Sequence, residues 1–262
     1  MSEMRKNILV TGATGGIGVP LCEKLAKAGH SLVLTARDTN RLRSLANQLD
    51  GGDLHKVIPV DMSDDTSVEK FGRELGALGV ALDGIVLMPP PLPRSFDIFP
   101  TSATWRSHFQ TSFIGPLALL RIGIDTMRPD LTAGRRPKVV IISAITSVQA
   151  LGHYAASNVL RPAWLGQAKT LAFALGDRGI HVNTVSLGGI LTEDYKELIN
   201  GRANEAGQTF EQRLSEETSN VPLRKYGRPE EVALVVEGLL SDFSDHLTGT
   251  NILCDGGFTR AY

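Results

Sequence analysis

An apolar run, Asn7-Ile8-Leu9-Val10, passes directly into Thr11-Gly12-Ala13-Thr14-Gly15-Gly16-Ile17-Gly18, and an amphipathic segment from Pro20 to Ala28 follows. In that segment Leu21, Leu25 and Ala28 share one helical face, and Gly29 is a C-terminal stop. Strand, glycine-rich turn and helix in that order commit the start of the chain to a βα unit. Glycines let a backbone approach a pyrophosphate closely, and a helix N-terminus offers free N–H groups to an anion. The stretch is therefore a candidate dinucleotide loop, with Gly12, Thr14, Gly16, Ile17 and Gly18 as its candidate contacts. The plainer alternative is an ordinary glycine-rich βα turn.

The rest of the chain keeps the same rhythm. Leu32–Leu34, Val57–Val60, Gly84–Met88, Val139–Ile142, Val182–Ser186 and Asn251–Leu253 are further short apolar runs. Runs apolar on both faces suit the buried strands of a parallel sheet. Between them Asn40–Leu49, Ser67–Leu78, Ala103–Met127, Val159–Leu175 and Glu230–Leu240 follow helical spacing. The expectation is an α/β fold: a single Rossmann-like, doubly wound parallel sheet of about seven strands with helices on both faces. No composition shift, repeat or low-complexity tract divides the chain, so residues 1–262 read as one domain. Residues 193–225 are long and polar, which suits a mobile lid-like insertion at the C-terminal edge of the sheet.

Composition narrows the function classes. Lys plus Arg is 27 against 28 for Asp plus Glu, a net charge of −1, and no long basic run occurs. Nucleic acid and anionic membrane surfaces are poor partners for such a chain. No apolar run reaches the ~18 residues of a membrane span. The two cysteines, Cys22 and Cys254, and six scattered histidines give no disulfide framework and no metal cluster. With no apolar signal region between Met1 and Asn7, a cytoplasmic protein acting on a small molecule is expected.

The second strand ends Leu34-Thr35-Ala36-Arg37. An acidic residue about 20 positions beyond the glycines would take the ribose 2′-hydroxyl of NAD. Ala36 stands there instead, and Arg37 follows, with Arg41 one helical turn on. A cation without a carboxylate favours the 2′-phosphate, hence NADP(H) over NAD(H). Asp38 leaves a ribose partner open. Asp61 and Met62, after the third strand, are candidate adenine contacts, and a turn or capping role for Asp61 competes nearly equally.

With these pieces in place the chain resembles the classical short-chain dehydrogenase/reductase family over nearly its whole length. The motifs are Thr11–Gly18, the Asp61 turn, Leu82-Asp83-Gly84, Arg178-Gly179-Ile180-His181-Val182-Asn183, Gly188 to Thr192, Gly227-Arg228-Pro229-Glu230-Glu231, and Thr248-Gly249 with Asp255-Gly256-Gly257. Within the family the pattern is nearest the 3-oxoacyl-carrier-protein reductase type. The resemblance implies NAD(P)(H), hydride transfer to or from a carbonyl or alcohol, and a homodimer or homotetramer joined through the long fourth helix and the helix after Arg161. It also implies cofactor contacts at Gly188, Ile190 and Thr192, and a catalytic Asn, Ser, Tyr and Lys.

Those four residues are all replaced. Tyr154-Ala155-Ala156-Ser157-Asn158 resembles the family's YxxxK with Asn158 for lysine. Counting by the family's spacing back from Asn183, or from Gly166, places Ser157 at the tyrosine instead. No gap is then needed on either side. The other register requires a three-residue deletion and a three-residue insertion inside a helix, a turn of about 300°. In the gapless register tyrosine becomes Ser157, lysine becomes Arg161 (also a candidate cofactor contact), serine becomes Ala144 and asparagine becomes Ser112. The family's NNAG becomes Leu87-Met88-Pro89-Pro90, with Pro91 and Pro93 beyond.

Serine is a far weaker acid than a phenol, Ala144 cannot hydrogen-bond a carbonyl oxygen, and Ser143 on the same strand should face the other way. Arg161 keeps the positive charge but not the ammonium geometry. Prolines 89–91 delete three N–H donors. Pro162 implies that the helix starts close to it or kinks there. Tyr154 is the best substitute acid, with His153, Thr146, Ser147 and Gln149 as lesser donors.

Three readings compete: an NADP(H)-dependent carbonyl reductase with a rearranged proton donor, a cofactor-binding pseudoenzyme with a regulatory or assembly role, and a non-redox lyase or isomerase on the same fold. Leu198, Ile199, Phe210 and Leu214 in the lid point to a partly apolar small-molecule substrate.

Overall fold

The computed structural model describes residues 5–260; the first residues of the N-terminal segment read above and residues 261–262 lie outside the described part. Seven strands, β1 (Asn7–Thr11), β2 (Ser31–Thr35), β3 (Lys56–Val57), β4 (Gly84–Leu87), β5 (Lys138–Ala144), β6 (His181–Leu187) and β7 (Asn251–Cys254), form one sheet in the order β3-β2-β1-β4-β5-β6-β7. Every neighbouring pair is parallel. The expected doubly wound α/β fold is therefore present.

Side-chain alternation along the strands builds two apolar layers. From β1, Ile8 and Val10 point to one face and Leu9 to the other. The first face is covered by α1 (Gly18–Lys27), α2 (Thr39–Gln48) and α9 (Pro229–Leu240), through side chains such as Leu21, Leu42 and Val236. The second is covered by α3 (Asp65–Ala77), α5 (Gly115–Asp125) and α6 (Ala155–Leu175), through Phe71, Leu119 and Trp164.

Chain order reverses between β1 and β4. The β1–α1 loop and the segment after β4 diverge there and leave a crevice at the carboxyl ends of the strands, the usual ligand position in open α/β sheets.

Three elements differ from expectation. The long fourth helix is α4 (Ser102–Phe109) followed by a π turn, Gln110–Ile114, and then α5. The carbonyl of Met62 presses on Gly115, where an added Cβ would lie only 1.7 Å from the oxygen.

Helix α6 starts at Ala155, so Pro162 lies inside it rather than at its start. The first turn is fixed from upstream: Asn158 N–H donates to the Tyr154 carbonyl (2.8 Å), and the Asn158 side chain bonds both N–H and C=O of Leu151 (3.1 and 2.9 Å).

The lid-like stretch holds two helices, α7 (Glu193–Glu205) and α8 (Phe210–Glu217), with a capping box at Thr209 and Gln212. Arg202 and Arg213 both pair with Glu217 (3.1 and 2.9 Å) and tie the two together.

Candidate functional site

The β1–α1 loop is shaped by its glycines. Gly12 has φ +61°, a left-handed conformation that suits glycine. A Cβ on Gly18 would lie 2.2 Å from the Gly12 carbonyl oxygen, so only glycine lets α1 begin this close beneath the loop. Thr11 Oγ1 accepts a hydrogen bond from Met88 N–H (2.7 Å), which joins the ends of β1 and β4 across the crevice.

At the rim, the Asp38 carboxylate accepts from the N–H groups of Asn40 and Arg41 (2.9 and 3.1 Å) and caps α2. Both bonds go to Oδ1 of the carboxylate best placed to compete for a ribose. Arg37 is exposed beside it, and Arg41 Nη2 donates to the Thr14 carbonyl (2.8 Å).

Asp61 accepts from Ser63 N–H and Oγ–H (2.9 and 2.7 Å), and these bonds hold its carboxyl below the ordinary range, with a smaller contribution from the Arg37 charge. Its side chain thus makes the turn contact weighed from sequence. Across the cleft, a Cβ on Gly16 would lie 2.7 Å from Thr192 Cβ, so Thr192, the N-cap of α7, rests on the glycine loop. Gly188 is pressed against Asp255, and Ile190 bridges to Gly227.

All twelve sequence-derived cofactor contacts, from Gly12 to Thr192, line one cleft of about 1610 Å³. Ligand pockets usually span about 300–1,000 Å³, so a dinucleotide and a second molecule both have room.

Ser157, Arg161 and Tyr154 line the same cleft; Ser112 does not. Ser112 is buried on the π turn and donates to the Pro90 carbonyl (3.0 Å). Arg161 Nη2 donates to that same oxygen (3.2 Å). The proline run therefore supplies an acceptor shared by Ser112 and Arg161. Arg161 is buried, and desolvation lowers its pKa to about 10, so it remains charged at neutral pH.

Ser157 Oγ and Thr146 Oγ1 are 2.8 Å apart, both buried. Ser143 Oγ bonds Ser147 Oγ (2.7 Å), and Ser147 donates onward to the Arg161 carbonyl (3.3 Å). Asn158, the lysine equivalent in the other register, is held by the Leu151 backbone and is not among the cleft-lining residues. Tyr154 precedes α6, and its ring stacks against His153 (4.4 Å).

Sequence reasoning placed Thr146 among lesser donors; its direct bond to Ser157 depends on the 3-10 turn Ile145–Ser147, which no motif announces. Arg94 was not singled out at all. Its guanidinium lies 5.4 Å from the Tyr154 ring centre and 5.9 Å from that of Tyr195. The signal available was a cation directly after the stiff Pro89–Pro93 segment.

Among the described residues no helix is long and apolar enough to cross a membrane. A family model described as enoyl-(acyl carrier protein) reductase matches residues 12–259. The chain is 28% identical to the NADP-dependent (R)-specific alcohol dehydrogenase of Lentilactobacillus kefiri, over 97% of this chain and 96% of that one. It superposes on L-sorbose reductase from Gluconobacter frateurii, solved with NADPH and L-sorbose, at TM-score 0.89 and 23% identity, covering 98% of both chains. It also superposes on an NADPH-bound short-chain oxidoreductase of Pseudomonas aeruginosa PAO1 that contains an atypical catalytic centre, at TM-score 0.85 and 23% identity, again over 98% of both.

Proposed function

The chain belongs to the short-chain dehydrogenase/reductase family, and from that membership we propose that it is an NADP(H)-dependent carbonyl reductase whose proton-donating group is rearranged. The observation that carries the reading is that the glycine loop and the Thr146–Ser157–Arg161 cluster open into one cleft. The residues fit a dinucleotide phosphate. Gly18 leaves no space for a side chain beneath the loop, and Arg37 and Arg41 stand at the rim where Asp38 is engaged as a cap. The NADP-dependent relative and the NADPH-bound neighbours support the same cofactor.

When bound, the cofactor supplies the hydride, and the protein supplies orientation and charge. Thr146 and Ser157 form a donor pair: one hydroxyl bonds the other, which leaves one O–H free to bond a carbonyl oxygen. Arg161 keeps a desolvated positive charge on the same wall and favours negative charge developing on that oxygen. The Pro90 carbonyl, which also accepts from Ser112, holds Arg161 through Nη2 and so acts as a positioning group. A serine hydroxyl gives up its proton reluctantly, so turnover is expected to be slow; a positioned acid typically contributes about 10²–10⁴-fold.

Self-association belongs to the same reading: Ile114, Val159 and Phe173, beside and along α5 and α6, are large apolar side chains left exposed.

The test follows NADPH absorbance with a panel of aldehydes and ketones. Carbonyl-dependent NADPH consumption is expected. Binding of NADPH with no consumption across the panel favours the regulatory alternative, and substrate conversion at constant NADPH favours the non-redox one.

A further inference from the structure

Beyond the reacting centre, the cleft wall under α7 and α8 concentrates positive charge. Arg94 leaves the proline segment and sits over the rings of Tyr154 and Tyr195. Among the described residues the titratable groups set against it are those two phenols, whose hydroxyls also hydrogen-bond the guanidinium, and no carboxylate. The Arg202 guanidinium lies 5.8 Å from the Tyr195 ring centre, so one aromatic ring is shared by two guanidiniums. Glu217 is held by Arg202 and Arg213 together. Even so, Arg202 Nη2 is closed off from solvent and has no hydrogen-bond partner among the described residues. An unmade bond at a buried donor is unfavourable and leaves the guanidinium incompletely satisfied. His153, between this wall and Tyr154, lies below the ordinary imidazole value because of burial and then the charges of Arg94 and Arg202. Both cations therefore act on one spot. Glu193, Asp194 and Lys196 line the same cleft, and the four cations on this wall, Arg94, Lys196, Arg202 and Arg213, outnumber its three carboxylates, Glu193, Asp194 and Glu217.

Aromatic rings and neutral phenols hold a guanidinium without neutralising it, and of its five N–H donors those not bonded to the phenols stay available to a planar oxyanion. We propose that Arg94, with Arg202 on the same Tyr195 ring, receives an anionic group of the substrate, so that the preferred substrates are carbonyl compounds bearing a carboxylate or phosphate ester. The proposal rests on the carbonyl-reductase reading for its reactive group, while the anion site stands on its own residues.

Calorimetric titration separates the two. The protein, with and without NADPH, is titrated with 4-oxopentanoate against 2-pentanone, and with dihydroxyacetone phosphate against dihydroxyacetone. At least one acid is expected to bind about tenfold or more tightly than its neutral partner, the arm that responds identifying carboxylate or phosphate. Arg94→Gln should erase that preference, and Arg94→Lys should keep part of it; near-UV circular dichroism checks that both variants are folded. Equal affinity for acid and neutral ligand, no binding of either acid, or a preference that survives Arg94→Gln overturns the proposal. An acid preference that persists in a protein unable to bind NADPH leaves the anion site standing and removes the reductase reading instead.

Discussion

Ser157 lines the cleft, and its one side-chain hydrogen bond among the described residues is to Thr146. If that pair holds the carbonyl oxygen, Ser157→Ala should lower kcat about tenfold to a hundredfold and leave NADPH affinity unchanged, because the lost bond is made at the reacting end of the cleft. Steady-state kinetics with any accepted carbonyl read this directly; an unchanged kcat removes Ser157 from the chemistry. A second residue-scale prediction concerns Lys138, which is buried and bonds Ser244 Oγ (3.0 Å) and Asp245 (2.5 Å). Asp245→Asn leaves the ammonium without its counter-charge. Since Asp245 is itself half-exposed, the expected loss is about 1–3 kcal/mol rather than the full penalty of a buried pair, measured by urea unfolding. At this scale Ser157 and Arg161, by counting from Asn183, and Arg37, by its place after β2, were legible as lining one cleft. Thr146 and Arg94 were not, because their positions are set by a 3-10 turn and a proline segment whose paths depend on tertiary packing.

Among the elements, α6 departs furthest from its local sequence preferences. Pro162 removes one N–H from its interior, which by propensity costs about 3 kcal/mol, yet the helix continues through it. Burial outweighs the local penalty: Leu160 and Trp164 are fully buried on either side, Trp164 Nε1–H donates to the Ser112 carbonyl (2.9 Å), and its ring packs 5.0 Å from Phe113. Two consequences follow. Pro162→Ala restores a donor and should raise stability by about 1–3 kcal/mol, an increase of several degrees in Tm for a domain of this size. Trp164→Ala should cost about 3–5 kcal/mol and also loosen the π turn that positions Ser112, so thermal unfolding and kcat should fall together. The helix start at Ala155 was hidden because the start signal at Pro162 is local, whereas the Asn158–Leu151 bonds that begin the helix depend on how the preceding loop folds. The π turn was equally silent in sequence. It is a local widening of the helix, and such bulges recur at functional sites. By contrast, the seven strands were readable because a parallel sheet covered on both faces demands continuous apolar runs.

The whole molecule is organised around the reversal of strand order between β1 and β4. That topology gathers the glycine loop, the proline segment, the start of α6 and the α7–α8 pair at one end of the sheet, which is why residues more than 170 positions apart, such as Gly16 and Thr192, touch. A pH effect also belongs to this scale. His181 is held below the ordinary imidazole value by burial and then by the Lys138 charge. The unfolded chain therefore takes up a proton at a higher pH than the folded one, so stability is full above about 6.5 and falls as pH drops below it. Urea midpoints at pH 7.5 and 5.5 should show the decline, and His181→Gln should reduce it.

The central claim is an NADP(H) site at this crevice, specified by Arg37 where a carboxylate would select NAD. The most direct test is a fluorescence titration of the protein with NADPH and with NADH, repeated on Arg37→Ala. The account predicts tighter binding of NADPH, with the substitution weakening it by about tenfold to a hundredfold while NADH is little affected. Equal affinity for the two cofactors, an Arg37→Ala variant that still prefers NADPH, or no binding of either would contradict it.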